Sequence, residues 1–519
     1  MTNPERAASR FWDVIIIGTG VGGATVGRSL ALAGLGVLFL EKGGRIGPNE
    51  ESSDSLTPES RLAHGWWPHP VTRQQRNGDR KHFYAAVGCA VGGSSIHYAA
   101  ALERMAASDF DGLHTSIAST LPWPVSFAEF APHYEAAEKL YGISGESSDL
   151  AERRMSEWDR ALLEQMRQNG LNPEPLHVAI RYDEQCKECI GRICPRDCKS
   201  DARVACIAEA LRQPHCQILE HCDVQTLEAD KESVRVVKAL HLGRELELRA
   251  RIVVLSAGAL HTPQILLRSR NAFWPQGLAN SSDQIGRNLM FHTSDIFALW
   301  APRRLTRQAR QRKSISVRDF YVYKGERLGY VQSMGLEAGR GEIAVYIKDQ
   351  LRRHGVRNKL LLSLLAKAPS HIGALLFGGA GIFAAMTEDD PNPDNRIILD
   401  PNEPDGARFS YTITNDLRRR ADQLRGEFSR SVRPWRMLRI STELEMNYGH
   451  PCGTCRFGED PAVSVLDRDC RAHDLENLYV VDASFMPRSG AINPSLTIAA
   501  NALRVAPKIA DQLSNIAAQ

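Results

Sequence analysis

The sequence has no apolar run long enough to cross a bilayer. Its longest, Ile372 to Met386, is broken by Gly373, Gly378, Gly379 and Gly381 and falls short of the ~20 residues a spanning helix needs, so it reads as core strand material. It has little excess of either charge: 64 Lys and Arg against 61 Asp and Glu leave a net +3, too weak a field to call for nucleic acid, and no aromatic-plus-basic module accompanies it. It also lacks the even cysteine set of an exported disulfide framework. Its 11 cysteines are odd in number, and Cys186, Cys189, Cys194, Cys198 and Cys206 crowd into one stretch. Met1 to Arg10 is polar, and the first apolar run, Val14 to Ile17, leads straight into a glycine motif. That run reads as buried strand and not as a signal peptide, so a cytoplasmic location is expected.

At 519 residues the chain exceeds the size at which one core usually keeps growing, which predicts two domains or one large domain with an elaborate insert. Hydrophobic content of 43% and charged content of 24% are those of an ordinary soluble globular protein. Trp12 to Glu41 reads strand, tight turn, alanine-rich helix, strand. Gly18 permits the turn, Gly20 lets a pyrophosphate approach the backbone, and Gly23 lets helix and strand pack closely. Glu41 ends the second strand, where a carboxylate accepts hydrogen bonds from an adenosine ribose. This motif does not separate NAD from FAD. A second glycine patch, Gly88 to Tyr98 with Gly92 and Ser94, offers backbone NH groups and hydroxyls to a further part of a long ligand.

Further along, Ser126 with Glu129 fits a capping box opening a helix, and Glu152 to Asn169 is amphipathic. Cys216 to Arg251 reads as a small β meander, and Ile252 to Leu255 as a buried parallel strand followed by a helix with Pro263 in its first turn. The basic segments Arg303 to Lys313 and Leu351 to Lys367 read as a solvated face or a lid over the substrate, or as a basic amphipathic segment on a membrane surface. Asn395 to Asp400 predicts a strand and Asn415 to Phe428 a polar helix. Near the C-terminus, His450 sits in a Gly/Pro loop with Cys452 and Cys455, and Leu478 to Asp482 is a strand closing on an acid. Asn493 and Pro494 suit the N-cap and first turn of a helix, where free NH groups favour an anion. As metal ligands, His450, Cys452 and Cys455 lack a fourth partner. The Cys186, Cys189, Cys194, Cys198 loop reads either as structural thiols acting as small hydrophobes or as the ligands of an iron-sulfur cluster, zinc being less suited to the spacing.

The motifs Gly18-x-Gly20-x-x-Gly23 with Glu41, Val91 to Ser95, Gly258 to Gln264, His450 to Thr454, and Val480 to Asp482 followed by Asn493-Pro494 fall in one order. As a set they resemble the glucose-methanol-choline (GMC) oxidoreductases. The resemblance implies an α/β fold: a doubly wound, Rossmann-like FAD-binding domain with a substrate domain on an antiparallel sheet with helices. It implies FAD-binding segments at 1–110, 216–295 and 446–519, cap elements with the cysteine loop at 111–215, and a substrate domain at 296–445. Gly18, Gly20, Gly23, Glu41, Gly92, Ser94, Asp482 and Pro494 would then hold FAD, with His450 as base and Asn493 as its partner.

The expected reaction is oxidation of a primary or secondary alcohol, a sugar, polyol or cyclic alcohol, to a carbonyl by hydride transfer to flavin N5. The acceptor would be oxygen, a quinone or a protein. The alternatives are a redox-neutral flavin-containing lyase of the same fold and an electron-transfer dehydrogenase subunit with an iron-sulfur cluster. Val91-Gly-Gly with His97, Trp123-Pro-Val-Ser-Phe and the cysteine loop are most similar to the FAD-dependent sugar and gluconate dehydrogenase branch, whose loop carries a cluster. Here Glu188 stands where that loop has an adjacent cysteine.

Overall fold

The computed structural model describes the chain except residues 1, 48–60, 63, 67–70, 75–77, 79, 84, 86, 111–120, 144–154, 183–184, 187, 303–311, 336–342, 345–346, 349, 352–354, 357, 404–405, 442–443 and 519. Three sheets organise it. The first runs in the order Cys216–Leu219, Val37–Leu40, Phe11–Ile17, Arg244–Leu255, Val234–His241, Cys222–Ala229, with Leu478–Val480 also paired to Arg244–Leu255. Its pairings are parallel from Cys216–Leu219 to Leu478–Val480 and antiparallel through the meander. The parallel strands are Val/Ile/Leu runs buried on both faces, as crossovers with helices on both sides require. Helix Val21–Leu32 packs against the long C-terminal helix Ser495–Ala518, which also packs on Phe127–Tyr141.

Two glycines explain why the first turn closes. Gly18 has φ +98°, and a Cβ there would lie 2.3 Å from the Ser256 carbonyl oxygen. At Gly23 a Cβ would meet the Gly18 carbonyl oxygen at 2.2 Å, so helix and strand approach only because none is present.

The second sheet is antiparallel, in the order Arg436–Arg439, Met290–Trp300, Ala380–Met386, Tyr330–Ser333, Ile315–Val317, Glu174–Pro175, with Glu445–Cys452 paired to the lower part of Met290–Trp300. An antiparallel sheet beside the parallel one was expected, and this one has that form. A smaller sheet joins Arg396–Leu399, Ala407–Ser410, Val71–Gln74 and Arg80–Phe83. The capping box at Ser126 and Glu129 forms as read, and the polar helix extends over Asn415–Ser431.

Ile372 to Met386, expected as strand, is divided. Its first part ends helix Lys359–Phe377, Gly378 and Gly379 interrupt, and only Ala380–Met386 is strand. The helix is started by Asn358, whose Oδ1 accepts the Leu360 and Leu361 N–H groups, and is filled with strong helix formers. Among the described residues it is the one helix long and apolar enough to cross a membrane. Residues 303–311 and Arg352, Arg353 and Arg357, parts of the two basic segments, lie outside the described residues.

A buried ion network ties the second sheet to the C-terminal segment. The Glu388 carboxylate accepts from Arg327 Nε at 2.5 Å and from Arg488 Nε and Nη2 at 3.1 and 2.9 Å. Arg420 donates to the Glu388 carbonyl at 3.0 Å and pairs with Asp390, while Arg327 also pairs with Asp109. Burial alone would push the Glu388 carboxyl up, but Arg327, Arg488 and Arg420 together hold it down at about 2. Glu388→Ala leaves two buried guanidinium groups short of their counter-charge. It is expected to lower stability in denaturant unfolding by about 3–5 kcal/mol near neutral pH. Because the folded carboxyl lies below its ordinary 4.5, the stabilisation is complete above that value and fades as pH falls toward about 2, so wild type and variant converge in acid.

Candidate active site

The carboxyl ends of the parallel strands open into a cavity of about 400 Å³ that continues beneath the second sheet. Gly18, Gly20, Glu41, Ser94, Asp482 and Pro494 line it, with His450 and Asn493. Gly23 and Gly92 stand behind this lining. At Gly20 a Cβ would meet nothing within 4 Å, so the backbone faces open space where a ligand can approach.

Glu41, expected as a ribose ligand, also builds the wall. Its Oε2 accepts the Thr19 N–H at 3.1 Å and the Thr19 hydroxyl at 2.5 Å, and its Oε1 accepts the Gly43 N–H at 3.0 Å. Burial pushes its carboxyl up, and these bonds oppose that shift. The Thr19 hydroxyl oxygen in turn accepts the Gly92 N–H at 3.0 Å, which clamps the second glycine patch onto the first. Ser94 Oγ accepts the Gly88 N–H at 3.0 Å. Thr19 was not singled out by sequence, although its place between two motif glycines was a signal.

Asp482 is a second junction. One oxygen accepts the Gly258 N–H at 2.9 Å and the Thr262 hydroxyl at 2.5 Å, and the other accepts the Ser484 N–H at 2.8 Å. The helix expected to be capped by Asn493 begins at Ser495, its first bond running from the Ile498 N–H to the Pro494 carbonyl at 3.0 Å. Pro494 therefore occupies the cap and Asn493 precedes it, one residue earlier than expected. The Asn493 Oδ1 and the Ser256 Oγ are buried and have no hydrogen-bond partner.

The chemistry-bearing contact is one the sequence reading missed. His292, fully buried in strand Met290–Trp300, places Nδ1 3.0 Å from Nδ1 of His450, with the rings edge to face. The other His292 nitrogen, Nε2, lies 3.1 Å from the Ser489 carbonyl oxygen. Burial lowers the His292 pKa, so the ring is neutral, and a carbonyl only accepts, so its single proton is on Nε2. His292 Nδ1 is then an acceptor and His450 Nδ1–H the donor. Asn447 Nδ2, 3.2 Å from the same His450 nitrogen, competes as a donor, but Asn447 is half-buried on the open cavity, whereas the buried Ser489 carbonyl must be satisfied where it stands. His450 Nε2 is left without a proton. Burial first, and then the neighbouring His292 ring and the Lys313 ammonium, which would both resist a second positive charge, press the His450 pKa well below its ordinary 6.5. The site thus holds a base that stays unprotonated at neutral pH. A lone histidine in the apolar run Met290-Phe-His-Thr was the available signal.

Among the described residues no group of three or more His, Cys, Asp and Glu side chains is disposed to hold a metal ion, so the iron-sulfur ligand set Cys186, Cys189, Cys194 and Cys198 is not supported. Lys199 organises the loop instead, its ammonium donating to the carbonyls of Ile96, Tyr98 and Cys189 at 3.0, 3.0 and 3.2 Å and to that of Arg192. All four cysteines line one small cavity, and the Cys189 and Cys194 side chains hydrogen-bond to each other there, yet among the described residues they form no group disposed to hold a metal ion. Cys452 and Cys455 are buried, and burial pushes both thiols well above their usual range.

Family models described as GMC oxidoreductase match residues 12–294 and 389–502. The chain is 28% identical to 6'''-hydroxyparomomycin C oxidase of Streptomyces lividus, over 98% of this chain and 93% of that one. It is 25% identical to the fructose dehydrogenase large subunit of Gluconobacter japonicus, over 96% and 98%. Among solved structures, pyridoxine 4-oxidase from Mesorbium loti superposes with a TM-score of 0.65 at 21% identity, covering 96% of this chain and 99% of that one, a likeness of fold.

Proposed function

The chain belongs to the GMC oxidoreductase family, and on that premise we propose that it oxidises a primary or secondary alcohol, of the sugar, polyol or cyclic class, to a carbonyl with FAD as its cofactor. The two named relatives, an oxidase and a dehydrogenase, act on compounds of this kind and support the reading. The residues present fit the cofactor. Gly18 and Gly20 at the strand-to-helix turn, Thr19 and Glu41, and the Gly88 to Ser94 backbone would hold its adenosine and pyrophosphate parts. Asp482, Asn493 and Pro494 would flank its ring, where the N-terminal NH groups of Ser495–Ala518 favour negative charge. FAD, when bound, supplies the acceptor for the hydride that leaves the carbinol carbon.

The observation that carries the proposal is the bare Nε2 of His450. It takes the hydroxyl proton of the alcohol as the C–H bond yields its hydride, so one proton and one hydride leave and a carbonyl remains. Asn493 holds the alcohol oxygen without competing as a base. His292 keeps the proton of His450 on Nδ1, away from the substrate. Fructose dehydrogenase and hydroxyparomomycin oxidase differ by name in their acceptors, and nothing in this cavity favours oxygen over a quinone or protein.

An alcohol panel mixed anaerobically with the FAD-loaded protein is expected to bleach the flavin with at least one member. Conversion of substrate with the flavin left oxidised would point to a lyase and overturn the reading. His450→Ala is expected to slow flavin reduction by about 10²-fold or more. Because the His450 pKa lies well below 6.5, the rate should hold as pH falls through 6.5, where an ordinary histidine base would lose activity. His292→Leu removes the acceptor for Nδ1–H and is expected to reduce the rate and change the shape of that pH profile.

A further inference from the structure

The substrate end of the cavity contains a cation with no acceptor. Lys313, just ahead of strand Ile315–Val317, is 1% exposed, its Nζ has no hydrogen-bond partner, and it lines the cavity together with His450 and Asn493. The Glu188 carboxylate acts on its charge without hydrogen-bonding to Nζ; its Oε1 accepts the Tyr182 hydroxyl at 2.9 Å and the Lys313 backbone N–H at 3.3 Å. On the neighbouring strand Gln332 is also buried and lines the same wall, and its Oε1 likewise has no partner. A buried ammonium and a buried amide oxygen, both unsatisfied and both on one wall, are strongly unfavourable unless a ligand completes them. Burial lowers the amine to about 8, with Glu188 opposing the shift, so near neutral pH it is still largely an ammonium. Its charge is felt at His450, which sets it on the reacting side of the cavity.

We propose that Lys313 binds a carboxylate of the substrate while Gln332 accepts from one of its hydroxyls, so that the alcohol oxidised is a hydroxy acid. This rests on the oxidation proposed above. A single ammonium matches a single negative charge, and the same ammonium disfavours amine-bearing alcohols. The hydroxyl at His450 loses its proton and the carbinol carbon its hydride, and the carboxylate at Lys313 is unchanged.

The test pairs hydroxy acids of two to six carbons with the polyols in which CH₂OH replaces the carboxylate, in anaerobic flavin reduction by the full FAD-loaded chain. The acids are expected to be preferred, and Lys313→Met to lower the acid-to-polyol ratio by about 10²-fold, with Lys313→Arg restoring part of it. The preference should also fall as pH rises through about 8. Calorimetric binding of the unreactive deoxy acids, lost in Lys313→Met, reads the contact without turnover. Equal bleaching by acids and polyols, with the ratio unmoved in the variant, overturns the carboxylate assignment and leaves alcohol oxidation standing. If neither member of any pair bleaches the flavin, the oxidation falls and this assignment with it.

A separate observation concerns the outer surface. Helix Lys359–Phe377 packs on the protein through a narrow seam, Leu362, Ala366 and Ser370, spaced four residues apart. A second apolar stripe, Leu361, Leu364, Leu365, Ile372, Leu375 and Leu376, recurs at helical spacing on the outside, with Leu375 at 86% exposure. Such a contiguous exposed apolar face marks a contact site. The helix is about 28 Å long by its 19 residues, and strand Ala380–Met386 begins directly after it, so it lies along the domain and does not leave it. Trp300, an interfacial residue type, donates its indole N–H to the Leu376 carbonyl at 3.1 Å. Residues 351–377 include Arg352, Arg353, Arg357, Lys359 and Lys367 and no Asp or Glu.

We infer that this face docks on an anionic lipid surface, the leucines entering the headgroup boundary and the net positive charge of the segment favouring anionic headgroups. The full chain is expected to float with phosphatidylglycerol-containing vesicles more than with phosphatidylcholine vesicles. A Leu364→Ser, Leu375→Ser, Leu376→Ser triple variant should lose at least about 10-fold in partitioning at an unchanged melting temperature. Absence of binding to either vesicle overturns the inference. So does a dimer in light scattering that the triple variant converts to monomer, which would mean that a second copy covers the stripe.

Discussion

The site depends on one uncharged hydrogen bond, from His450 Nδ1 to His292 Nδ1. Were His292 protonated, both of its nitrogens would donate. His450 Nδ1 would then have to accept, and its only proton would sit on Nε2, facing the substrate. The neutral pair avoids this because burial disfavours charge on both rings and because the Ser489 carbonyl demands a proton from His292 Nε2. That carbonyl is fixed from behind. Ser489 Oγ accepts the Asp389 N–H at 3.1 Å and donates to the Asp389 carbonyl at 2.8 Å, while the neighbouring Arg488 is gripped by Glu388. A fully charged network therefore anchors the backbone, and an uncharged pair one residue away keeps a base ready. Glu388 does act to raise the His292 pKa, but burial outweighs it, so the ion network stabilises the fold without protonating the imidazoles.

The dinucleotide end follows a different logic. Glu41 is read from sequence as a ligand, yet three protein donors already reach it. A carboxylate has about four lone-pair sites, so it can brace Thr19 and Gly43 and still accept from a ligand hydroxyl. Through Thr19 it fixes Gly92, which lies far along the chain from the first turn. Bracing the wall and keeping a lone pair for a ligand are compatible in one buried acid, and the bonds it makes to the wall offset part of its desolvation.

What could be read from the sequence was what is local. The Gly18 to Gly23 turn, the Ser126 box, the parallel strands and the order of motifs all depend on neighbouring residues and carry their own spacing. His292 and Lys313 could not be found that way. His292 reaches His450, and Lys313 the cavity, through the register of the second sheet, in which His292 pairs with Asn447 and Ser316 with Gln332, and no pattern along the chain announces those pairings. Asn493 was placed within one residue, the usual uncertainty of a helix end. The reading of Ile372 to Met386 as core strand holds for Ala380–Met386 and fails for the residues before it, because apolar residues need not be buried and the helix leaves its larger apolar stripe outside. The cysteine loop left two readings open, since close spacing suits ligation as well as small buried thiols, and the Lys199 bonds to carbonyls that shape it have no signature along the chain.

The two ends of the cavity also differ in how completely the protein satisfies itself. Around Glu41 and Asp482 nearly every donor and acceptor has a protein partner, so a ligand there is held largely by backbone and shape. At the substrate end Lys313 Nζ, Gln332 Oε1 and Asn493 Oδ1 have none. Groups left unpaired in a buried wall make the strongest discriminators, because a compound lacking the matching partner gains nothing from entering and strands them further. Apolar pockets separate compounds differing by a methylene only weakly, whereas an unmet ammonium and amide reject by whole chemical classes. On the proposed reading, specificity would be set mainly by polar atoms beside and on the second sheet, Lys313 and Gln332, whereas the glycine motifs that mark the family lie on the first.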